Sequence, residues 1–255
     1  MDIKGSCIVV TGAAQGIGKA LAQRFAVLGA AHVICADIDR DGAQDVAAQI
    51  GGTAFVVDVR DESSIKDLIE TVEDTIAPID LFCSNAGILT MGGFEVANEE
   101  WQKIWDINVM SHVWAARHLV PRMIKRGGGH MLNTASAAGL LNQIGAAPYG
   151  VTKHAAVGFA EWLAITYGDQ GLGVSVLCPQ AVRSQMTKGF EESVASVDGM
   201  LEPETVADFC VDAIENNEFL VLPHPQVKDY MQAKTANYGR WITGMQKLRD
   251  RFSGR

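Results

Sequence analysis

Short apolar runs, rich in β-branched residues, recur along this chain, and each is followed by a longer helical stretch. Most of the runs are continuously apolar rather than alternating, which is typical of strands in a sheet covered on both faces. We predict strands at 7–11, 32–36, 53–57, 81–84, 130–134, 173–177 and 219–222. Their alternation with helices predicts an α/β fold, in which a doubly wound, mainly parallel seven-stranded sheet is flanked by helices.

Helices are predicted in the amphipathic stretches, among them 18–28, 63–76, 98–125 and 149–167. Asn98 is followed by two acids, and its side-chain amide is expected to cap the third of these helices. No repeat or Pro/Gly/Ser-rich linker interrupts the chain. We therefore interpret residues 1–225 as one domain and residues 226–255 as a C-terminal helical extension.

The extension carries a mainly apolar stripe with alternating steps of three and four residues. The stripe consists of Met231, Lys234, Tyr238, Trp241, Met245, Leu248 and Phe252. Such a stripe must be buried against another surface, and the glycines at 239 and 244 weaken it as an isolated helix. Three placements are open: packing on its own domain, capping an active site there, or crossing to a neighbouring subunit.

The acidic balance of the chain excludes some partners. The net charge is −9, which argues against nucleic acid, and no run approaches the roughly 18 apolar residues of a membrane span. The first residues do not resemble a secretory signal, and the five cysteines form no C-x-x-C pair. We expect a cytoplasmic globular protein. The six histidines form no ligand cluster, so no metal site is expected.

A glycine-rich turn follows the first predicted strand and precedes a helix. It reads Thr11-Gly12-Ala13-Ala14-Gln15-Gly16-Ile17-Gly18. Glycines at such a turn let backbone N–H groups approach a pyrophosphate at a helix N-terminus. Three glycines alone would fit an ordinary turn equally well, but the order of strand, turn and helix favours dinucleotide binding.

Asp37 ends the second predicted strand, 19 residues after Gly18. A carboxylate at this distance can accept hydrogen bonds from the ribose hydroxyls of a dinucleotide. It would also repel a 2′-phosphate, and neither Ile38 nor Gln15 supplies a cation for that phosphate. NAD is therefore favoured over NADP, although Lys19 and Arg40 are near enough in sequence to leave the second cofactor open.

Tyr149 and Lys153 are four residues apart, on one face of a helix that Pro148 can begin. A free tyrosine has a pKa of about 10 and is a poor base at neutral pH. An adjacent cation would favour the phenolate and lower that pKa. Such a phenol suits proton exchange with an alcohol or carbonyl oxygen.

Together these motifs are similar to those of a known family. Thr11–Gly18, Asp58-Val59, Asn85-Ala86-Gly87, Asn108, Ser136 and Tyr149-x-x-x-Lys153 resemble, in the same order, motifs of the short-chain dehydrogenase/reductase family. Ser136 lies 13 residues before Tyr149, which is the family's usual separation. The resemblance implies a Rossmann fold and hydride transfer between a nicotinamide cofactor and an alcohol or carbonyl carbon.

The resemblance also implies residue roles. Tyr149 would be the acid/base, Lys153 would lower its pKa and bind the nicotinamide ribose, and Ser136 would hydrogen-bond the reacting oxygen. Asn108 would hold a water that links Lys153 to solvent. The remaining cofactor contacts are expected from Asp58 and Val59 at the adenine, from Asn85, Ala86 and Gly87 after the fourth strand, and from Pro179, Val182 and Ser184 after the sixth.

Two positions depart from the family pattern. Gln180 stands where the family commonly has a glycine, and we hypothesise that its amide points into the substrate site. Ser84 replaces a frequent asparagine, with a minor expected effect.

The loops expected around the reacting carbon are mostly apolar. Their candidates are Met91, Phe94, Leu140, Leu141, Ile144, Met186 and Phe190, with Asn142 and Gln143 as polar exceptions and Arg183 and Lys188 as possible anion-binding cations. An apolar secondary alcohol or ketone, cyclic or aromatic, is the predicted substrate. The resemblance also implies a homodimer or homotetramer in which the helices at 98–125 and 149–167 pair across the interface. Trp101, Trp105, Trp114 and Trp162 fit that use, although core burial explains a single Trp as well.

The leading interpretation is an NAD-dependent dehydrogenase acting on a CH–OH group. Two alternatives are an NADPH-dependent ketone reductase, against which Asp37 argues, and a catalytically inactive dinucleotide-binding regulator. The joint presence of Asn108, Ser136, Tyr149 and Lys153 argues against the regulator, since binding alone needs no acid/base.

Overall fold

All seven strands run parallel in one sheet of the structure, a computed structural model that describes residues 1–189 and 193–252. They are β1 (Cys7–Thr11), β2 (His32–Asp37), β3 (Thr53–Val56), β4 (Leu81–Ser84), β5 (Gly129–Thr134), β6 (Leu172–Leu177) and β7 (Leu220–Val221). Their order is β3-β2-β1-β4-β5-β6-β7, which confirms the predicted Rossmann arrangement. The order reverses between β1 and β4, so a crevice opens where the carboxyl ends of these strands diverge.

Helices cover both faces of the sheet. They are α1 (Gly16–Val27), α2 (Arg40–Ile50), α3 (Glu62–Thr75), α4 (Asn98–Trp105), α5 (Ser111–Lys125), α6 (Ala138–Leu141), α7 (Ala147–Tyr167), α8 (Pro203–Glu215), α9 (Gln226–Ala236) and α10 (Tyr238–Phe252). One core cluster packs α3, α5 and α7 on the sheet, and the other packs α1, α2 and α8. The continuous apolar character of the strands follows from this two-sided cover.

The predicted helix at 98–125 is divided by a π-helical turn, Asp106–Met110, between α4 and α5. The predicted cap at its start is also wrong, since Asn98 is the first helical residue and Ala97 precedes it without a side-chain bond. The two acids after Asn98 do lie in the first turn, where they stabilise the helix dipole. The π turn widens the helix locally, which is a frequent feature of functional sites.

The C-terminal extension is two helices rather than one continuous stripe. The backbone leaves the helix at Asn237, which has φ −157° and ψ 96°. Val227 of α9 is fully buried against Ala137 and Leu141, whereas α10 has no fully buried residue. Tyr238, expected within the stripe, is 57% exposed. No helix in the described part of the chain is long and apolar enough to cross a bilayer.

Candidate active site

A cavity of about 500 Å³ follows the carboxyl ends of the strands. Nearly all predicted cofactor residues line it: Gly12, Gln15, Gly16, Ile17, Asp37, Ile38, Asp58, Val59, Asn85, Ala86, Gly87, Tyr149, Lys153, Pro179, Val182 and Ser184. Gly18 is the exception. A Cβ built on Gly18 would lie 2.0 Å from the carbonyl oxygen of Gly12. Gly18 therefore lets α1 pack against the turn instead of facing the cavity.

The glycine turn leaves little room for side chains. Gly12 has φ +68°, and a Cβ on it would lie 3.0 Å from the Cα of Ala86. Gly16 has φ +54°, a conformation that side-chain-bearing residues rarely adopt. At these two glycines the backbone of the turn therefore meets the cavity without a side chain of its own.

The N-terminus of α1 lacks the usual protein partners for its backbone N–H groups. Within the described chain, the Gln15 side chain makes no capping bond and the first turn holds no acid. The first N–H groups of a helix have no partner inside it, and they attract an anion. These uncapped groups, together with the bare glycine turn, fit the pyrophosphate of a dinucleotide.

Asp37 connects the glycine turn to the end of β2. Its Oδ2 accepts a hydrogen bond from the N–H of Ala14 at 3.0 Å, and its Oδ1 accepts one from the N–H of Asp39 at 3.0 Å. Each carboxylate oxygen has a further acceptor site, and the side chain borders the cavity. Among the described residues, neither Lys19 nor Arg40 lines this cavity.

Asp58 is held by a cation that the sequence analysis missed. Arg60 donates from its Nη2 to Asp58 Oδ2 at 2.6 Å and from its Nε to Oδ1 at 3.0 Å. These bonds hold the pKa of the Asp58 carboxyl below its usual value. An adenine amine would therefore share the carboxylate with Arg60, which also lines the cavity. In the sequence, the separation of Asp58 and Arg60 by two residues in a turn could have indicated this pair.

Asn85 joins the ends of three strands. Its Nδ2 donates to the carbonyl of Thr11 at 3.0 Å, and its Oδ1 accepts from the hydroxyl of Thr134 at 3.2 Å. The Thr11 hydroxyl in turn accepts from the N–H groups of Asn85 and Ala86. Thr11 and Thr134 were not predicted as site residues, although both stand at the end of a strand beside the crevice.

Asn108 lies in the π turn and is fully buried. Its Oδ1 accepts from the N–H of Ile88 at 2.9 Å, while its Nδ2 donates to the Ile88 carbonyl at 3.0 Å and to Thr152 Oγ1 at 3.2 Å. Both amide protons are used, so the side chain holds the loop after β4. A Cβ on Gly87, next in that loop, would lie 3.4 Å from Lys153 Nζ. The water predicted at Asn108 stays a prediction.

Tyr149 and Lys153 lie one turn apart on α7, which begins at Ala147 with Pro148 in its first turn, as expected. Lys153 Nζ donates to the carbonyl of Thr134 at 2.9 Å and lies 5.7 Å from the centre of the Tyr149 ring. Burial lowers the pKa of Lys153 to about 8. Burial also raises the pKa of Tyr149, opposed by a hydrogen bond with Ser136. In the protein alone the pKa of Tyr149 is therefore raised, which is opposite to the direction predicted from the neighbouring Lys153.

Ser136 is 8% exposed. Its Oγ donates to the carbonyl of Pro179 at 3.3 Å and accepts from the N–H of Ala138 at 3.1 Å. The residues that line both this cavity and a second, larger one are Ser136, Tyr149, Gln180, Met186 and Thr187. The proposed acid/base and its serine partner therefore stand where the two cavities meet.

The second cavity has a volume of about 910 Å³ and a mainly apolar lining. Of the predicted substrate residues, it is lined by Met91, Leu141, Asn142, Gln143, Ile144 and Met186. Phe94 is 97% exposed, Leu140 packs against the extension instead, and Phe190 lies outside the described residues. Arg183 pairs with Glu202 at 2.6 Å and is thus engaged elsewhere.

The extension supplies one wall of this cavity. The contributing residues are Tyr230, Ala233, Ala236, Asn237, Arg240, Trp241, Gly244, Met245, Leu248 and Phe252. In this single chain, α9 and α10 thus lie beside the candidate active site, and the choice among the three placements stays a prediction.

His112 lies in α5 and is fully buried. The charge of Lys153 is close enough to lower the pKa of the His112 ring. Its Nδ1 lies 3.1 Å from Asn133 Oδ1, and burial lowers its pKa to about 3 from 6.5. Between these values the unfolded chain binds a proton that the folded chain does not, so the free energy of unfolding falls as pH drops below 6.5. We expect His112→Gln to reduce that slope by up to about 1.4 kcal/mol per pH unit.

Denaturant titrations of both proteins between pH 4 and 7 measure the two slopes. The comparison uses slopes because the substitution itself changes stability at every pH. His130, whose pKa burial lowers to about 4, is present in both proteins and so does not affect the difference. Equal slopes would contradict the proposed neutral state of His112.

Comparison with known proteins agrees with this geometry. The family described as short chain dehydrogenase matches residues 6–195. A 1-deoxy-11-beta-hydroxypentalenate dehydrogenase from Streptomyces exfoliatus is 34% identical over 238 residues, which cover 89% of this chain and 86% of that protein. Epidermal retinol dehydrogenase 2 from Homo sapiens is 29% identical, covering 87% of this chain and 75% of that protein.

A solved structure shows the same likeness in three dimensions. The crystal structure of a short chain dehydrogenase/reductase from Burkholderia phymatum, in complex with NAD, matches with a TM-score of 0.87 at 25% identity. The match covers 94% of this chain and 96% of that one. This chain therefore belongs to the short-chain dehydrogenase/reductase family, whose members bind NAD(P), and is an oxidoreductase acting on hydroxyl or ketone groups of small molecules.

Proposed function

We propose that this protein is an NAD-dependent dehydrogenase of a bulky, predominantly apolar secondary alcohol, cyclic or aromatic. The observation that carries the proposal is that Ser136 and Tyr149 line both cavities, one suited to a dinucleotide and the other apolar and about 910 Å³ in volume. The retinol in the name of one relative supports an apolar alcohol, and the hydroxypentalenate in the name of another is a hydroxyl compound that also carries a carboxylate.

The chemistry divides between the cofactor and this chain. The nicotinamide of a bound cofactor would supply the hydride acceptor. Tyr149 Oη takes the proton of the substrate hydroxyl. Ser136 Oγ turns its hydroxyl from the Pro179 carbonyl and donates a hydrogen bond to the reacting oxygen. Lys153, buried next to the phenol, favours the phenolate by its charge. Burial of these groups strengthens their electrostatic interactions, because less water screens them.

Separate parts of the first cavity would hold the cofactor. The start of α1 would bind the pyrophosphate, and Asp37 would accept hydrogen bonds from the adenosine ribose. Asp58 and Val59 would contact the adenine. The segment Asn85–Gly87 would pass beside the nicotinamide half, and Pro179, Val182 and Ser184 would border its carboxamide.

Asp37→Asn is expected to change the cofactor preference. The substitution removes the charge that would repel a 2′-phosphate while keeping the shape of the side chain. We expect the ratio of the Kd for NADP to the Kd for NAD to fall by about tenfold, because the half-buried carboxylate no longer repels the 2′-phosphate. Titration of tryptophan fluorescence with each nucleotide measures both values.

Asp39→Asn is the matched control, since Asp39 caps α2 two residues away and does not line the cavity. It should leave the ratio unchanged. A wild-type protein that binds NADP more tightly than NAD would overturn the role given to Asp37.

The domain arrangement is part of the same proposal. We infer that residues 1–225 form one catalytic and cofactor-binding domain, with 226–255 packed on it as an extension. The buried Val227 and the cavity wall formed by α9 and α10 support this division.

Exposed apolar side chains on α4 and α7 support a homo-oligomer, either a dimer or a tetramer. Ile165 is 83% exposed, Trp162 51% and Trp105 36%, whereas Trp114 packs against the core. Light scattering should give a mass of two or four chains, and a monomer at micromolar concentration would contradict the inference. The five cysteines are free and buried, which suits a cytoplasmic, reducing location.

A panel of secondary alcohols tests the function. We expect NADH formation, followed by absorbance, with alicyclic and aromatic alcohols and weaker turnover with short-chain ones. Reduction of ketones by NADPH alone would favour the reductase alternative. Nucleotide binding without turnover of any alcohol or ketone would favour the inactive regulator.

A further inference from the structure

Gln180 follows β6 and lines both cavities. Its side-chain Nε2 donates to Asp198 Oδ2 at 2.9 Å. A carboxylate can only accept, so this bond fixes which end of the amide faces Asp198. Gln180 therefore borders the larger cavity, but its amide is bonded to the 193–199 segment. It does not point freely into the substrate site, as we had hypothesised.

Asp198 also accepts a hydrogen bond from the C-terminal extension. The hydroxyl of Tyr230, on α9, donates to Asp198 Oδ1 at 3.0 Å. Burial and this bond raise the pKa of the Tyr230 phenol, so it stays a donor at neutral pH. One carboxylate therefore joins the loop after β6, the 193–199 segment and α9.

The backbone of Gln180 makes a further bond to the same region. Its N–H donates to Nδ1 of His224 at 3.2 Å. His224 is 2% exposed and lies two residues before α9 begins. Burial lowers the pKa of His224, which favours the neutral ring that this bond requires. Gln180 is thus tied to the approach of α9 through both its backbone and its side chain.

The segments joined in this way are walls of the larger cavity. Ser193, Val194, Ala195 and Val197 line it from one segment, and Tyr230 and Ala233 line it from α9. Backbone bonds of Ala181 with Ala195, within the first segment, and with Leu201, two residues beyond it, hold this segment beside the loop after β6. Asp198 lies between Ala195 and Leu201, and its hydrogen bond from Tyr230 connects this part of the chain to α9.

The amide is a poor stabilising device by itself. Gln180 Oε1 is covered by the chain and has no donor among the described residues. A covered acceptor without a partner opposes folding. We therefore look for the role of Gln180 in the bond from its Nε2 to Asp198, which holds the 193–199 segment in place.

We propose that Gln180, Asp198 and Tyr230 form a clasp that holds the 193–199 segment and α9 as walls of the substrate cavity. Gln180 is then a positioning residue for the substrate, not a catalytic one. This inference rests on the proposed function, since it takes the larger cavity as the site of the alcohol. Loss of the clasp raises KM for a bulky alcohol and leaves kcat and the Kd for NAD nearly unchanged.

Gln180→Leu and Tyr230→Phe test the clasp in the full-length protein. Each removes one hydrogen bond to Asp198 while keeping most of the side-chain volume. We expect each to raise KM for a bulky alcohol by about 5- to 20-fold, with kcat and the Kd for NAD within about twofold. The double variant should resemble the single ones, because both act through the same carboxylate. Tyr238→Phe, on the exposed start of α10, is the control.

Hydrogen–deuterium exchange supplies a readout that needs no substrate. Peptides from 193–201 and 226–236 should exchange faster in Gln180→Leu and Tyr230→Phe, and at the wild-type rate in Tyr238→Phe. Unchanged exchange, additive changes in KM, or a change confined to the Kd for NAD would each overturn the clasp. Faster exchange in a protein that oxidises no alcohol would instead refute the proposed function and leave the clasp standing.

Discussion

Tyr149→Phe is expected to lower kcat/KM for alcohol oxidation by about 10²- to 10⁴-fold, the range for loss of a general acid/base. The ring can stay packed beside Lys153, and the only group lost is the hydroxyl that would take the substrate proton. The Kd for NAD should stay within about twofold, since Asp37 and the start of α1 are unchanged. Steady-state kinetics with the best alcohol of the panel and a nucleotide titration measure both quantities.

Tyr167→Phe is the matched control for this prediction. Tyr167 ends the same helix, packs edge-on against Trp162 and does not line either cavity. Its hydroxyl should be dispensable for turnover. If Tyr149→Phe oxidises the same alcohol at the wild-type rate, Tyr149 is not the acid/base. If it fails to bind NAD, the loss of activity would report on the nucleotide site instead.

The second large effect is expected from the wall that α10 contributes to the larger cavity, the proposed substrate site. Trp241, Met245 and Leu248 lie on one face of this helix and line the cavity. Replacing all three by Ala removes apolar contacts from a bulky alcohol. We expect KM for that alcohol to rise by about 10- to 100-fold, on the order of 1–3 kcal/mol of lost apolar contact. A short-chain alcohol, which needs no such wall, should show little change.

Folding should survive this triple substitution because no residue of α10 is fully buried. Thermal unfolding of the variant checks that point directly. Ile242→Ala is the control, since Ile242 is 52% exposed on the same helix and does not line the cavity. Equal losses for bulky and short alcohols would contradict a role of α10 in substrate binding.

The pattern of apolar runs was sufficient to predict the sheet. All seven predicted strands are present, and no end differs by more than one residue. A strand covered on both faces needs a continuous apolar run, so its local composition reports its environment. Helix ends were less well predicted. Whether Asn98 or Ala97 precedes α4 depends on where the loop before it enters the helix, which the residues at the junction do not determine.

The motifs located most of the candidate site, because the chemistry requires those residue types at the ends of particular strands. Sixteen of the predicted cofactor residues line one cavity, namely every one except Gly18. Gly18 was expected to contact the cofactor but instead packs against the turn. A turn needs glycine both for close approach to a ligand and for close packing of the helix, and spacing does not distinguish these two needs. Arg60 was missed because its pairing with Asp58 depends on how the turn after β3 folds.

The sequence by itself determined the fold class, the nucleotide turn and the Tyr149–Lys153 pair, because each is encoded in residues that are neighbours in the chain. The wall of the larger cavity and the bonds of Gln180, in contrast, were decided by the tertiary structure alone. Asp198 and Tyr230 are 18 and 50 residues beyond Gln180, and their contact depends on the packing of three separate segments. Burial likewise decided the pKa directions of Tyr149 and Lys153, since desolvation is a property of the whole surrounding fold.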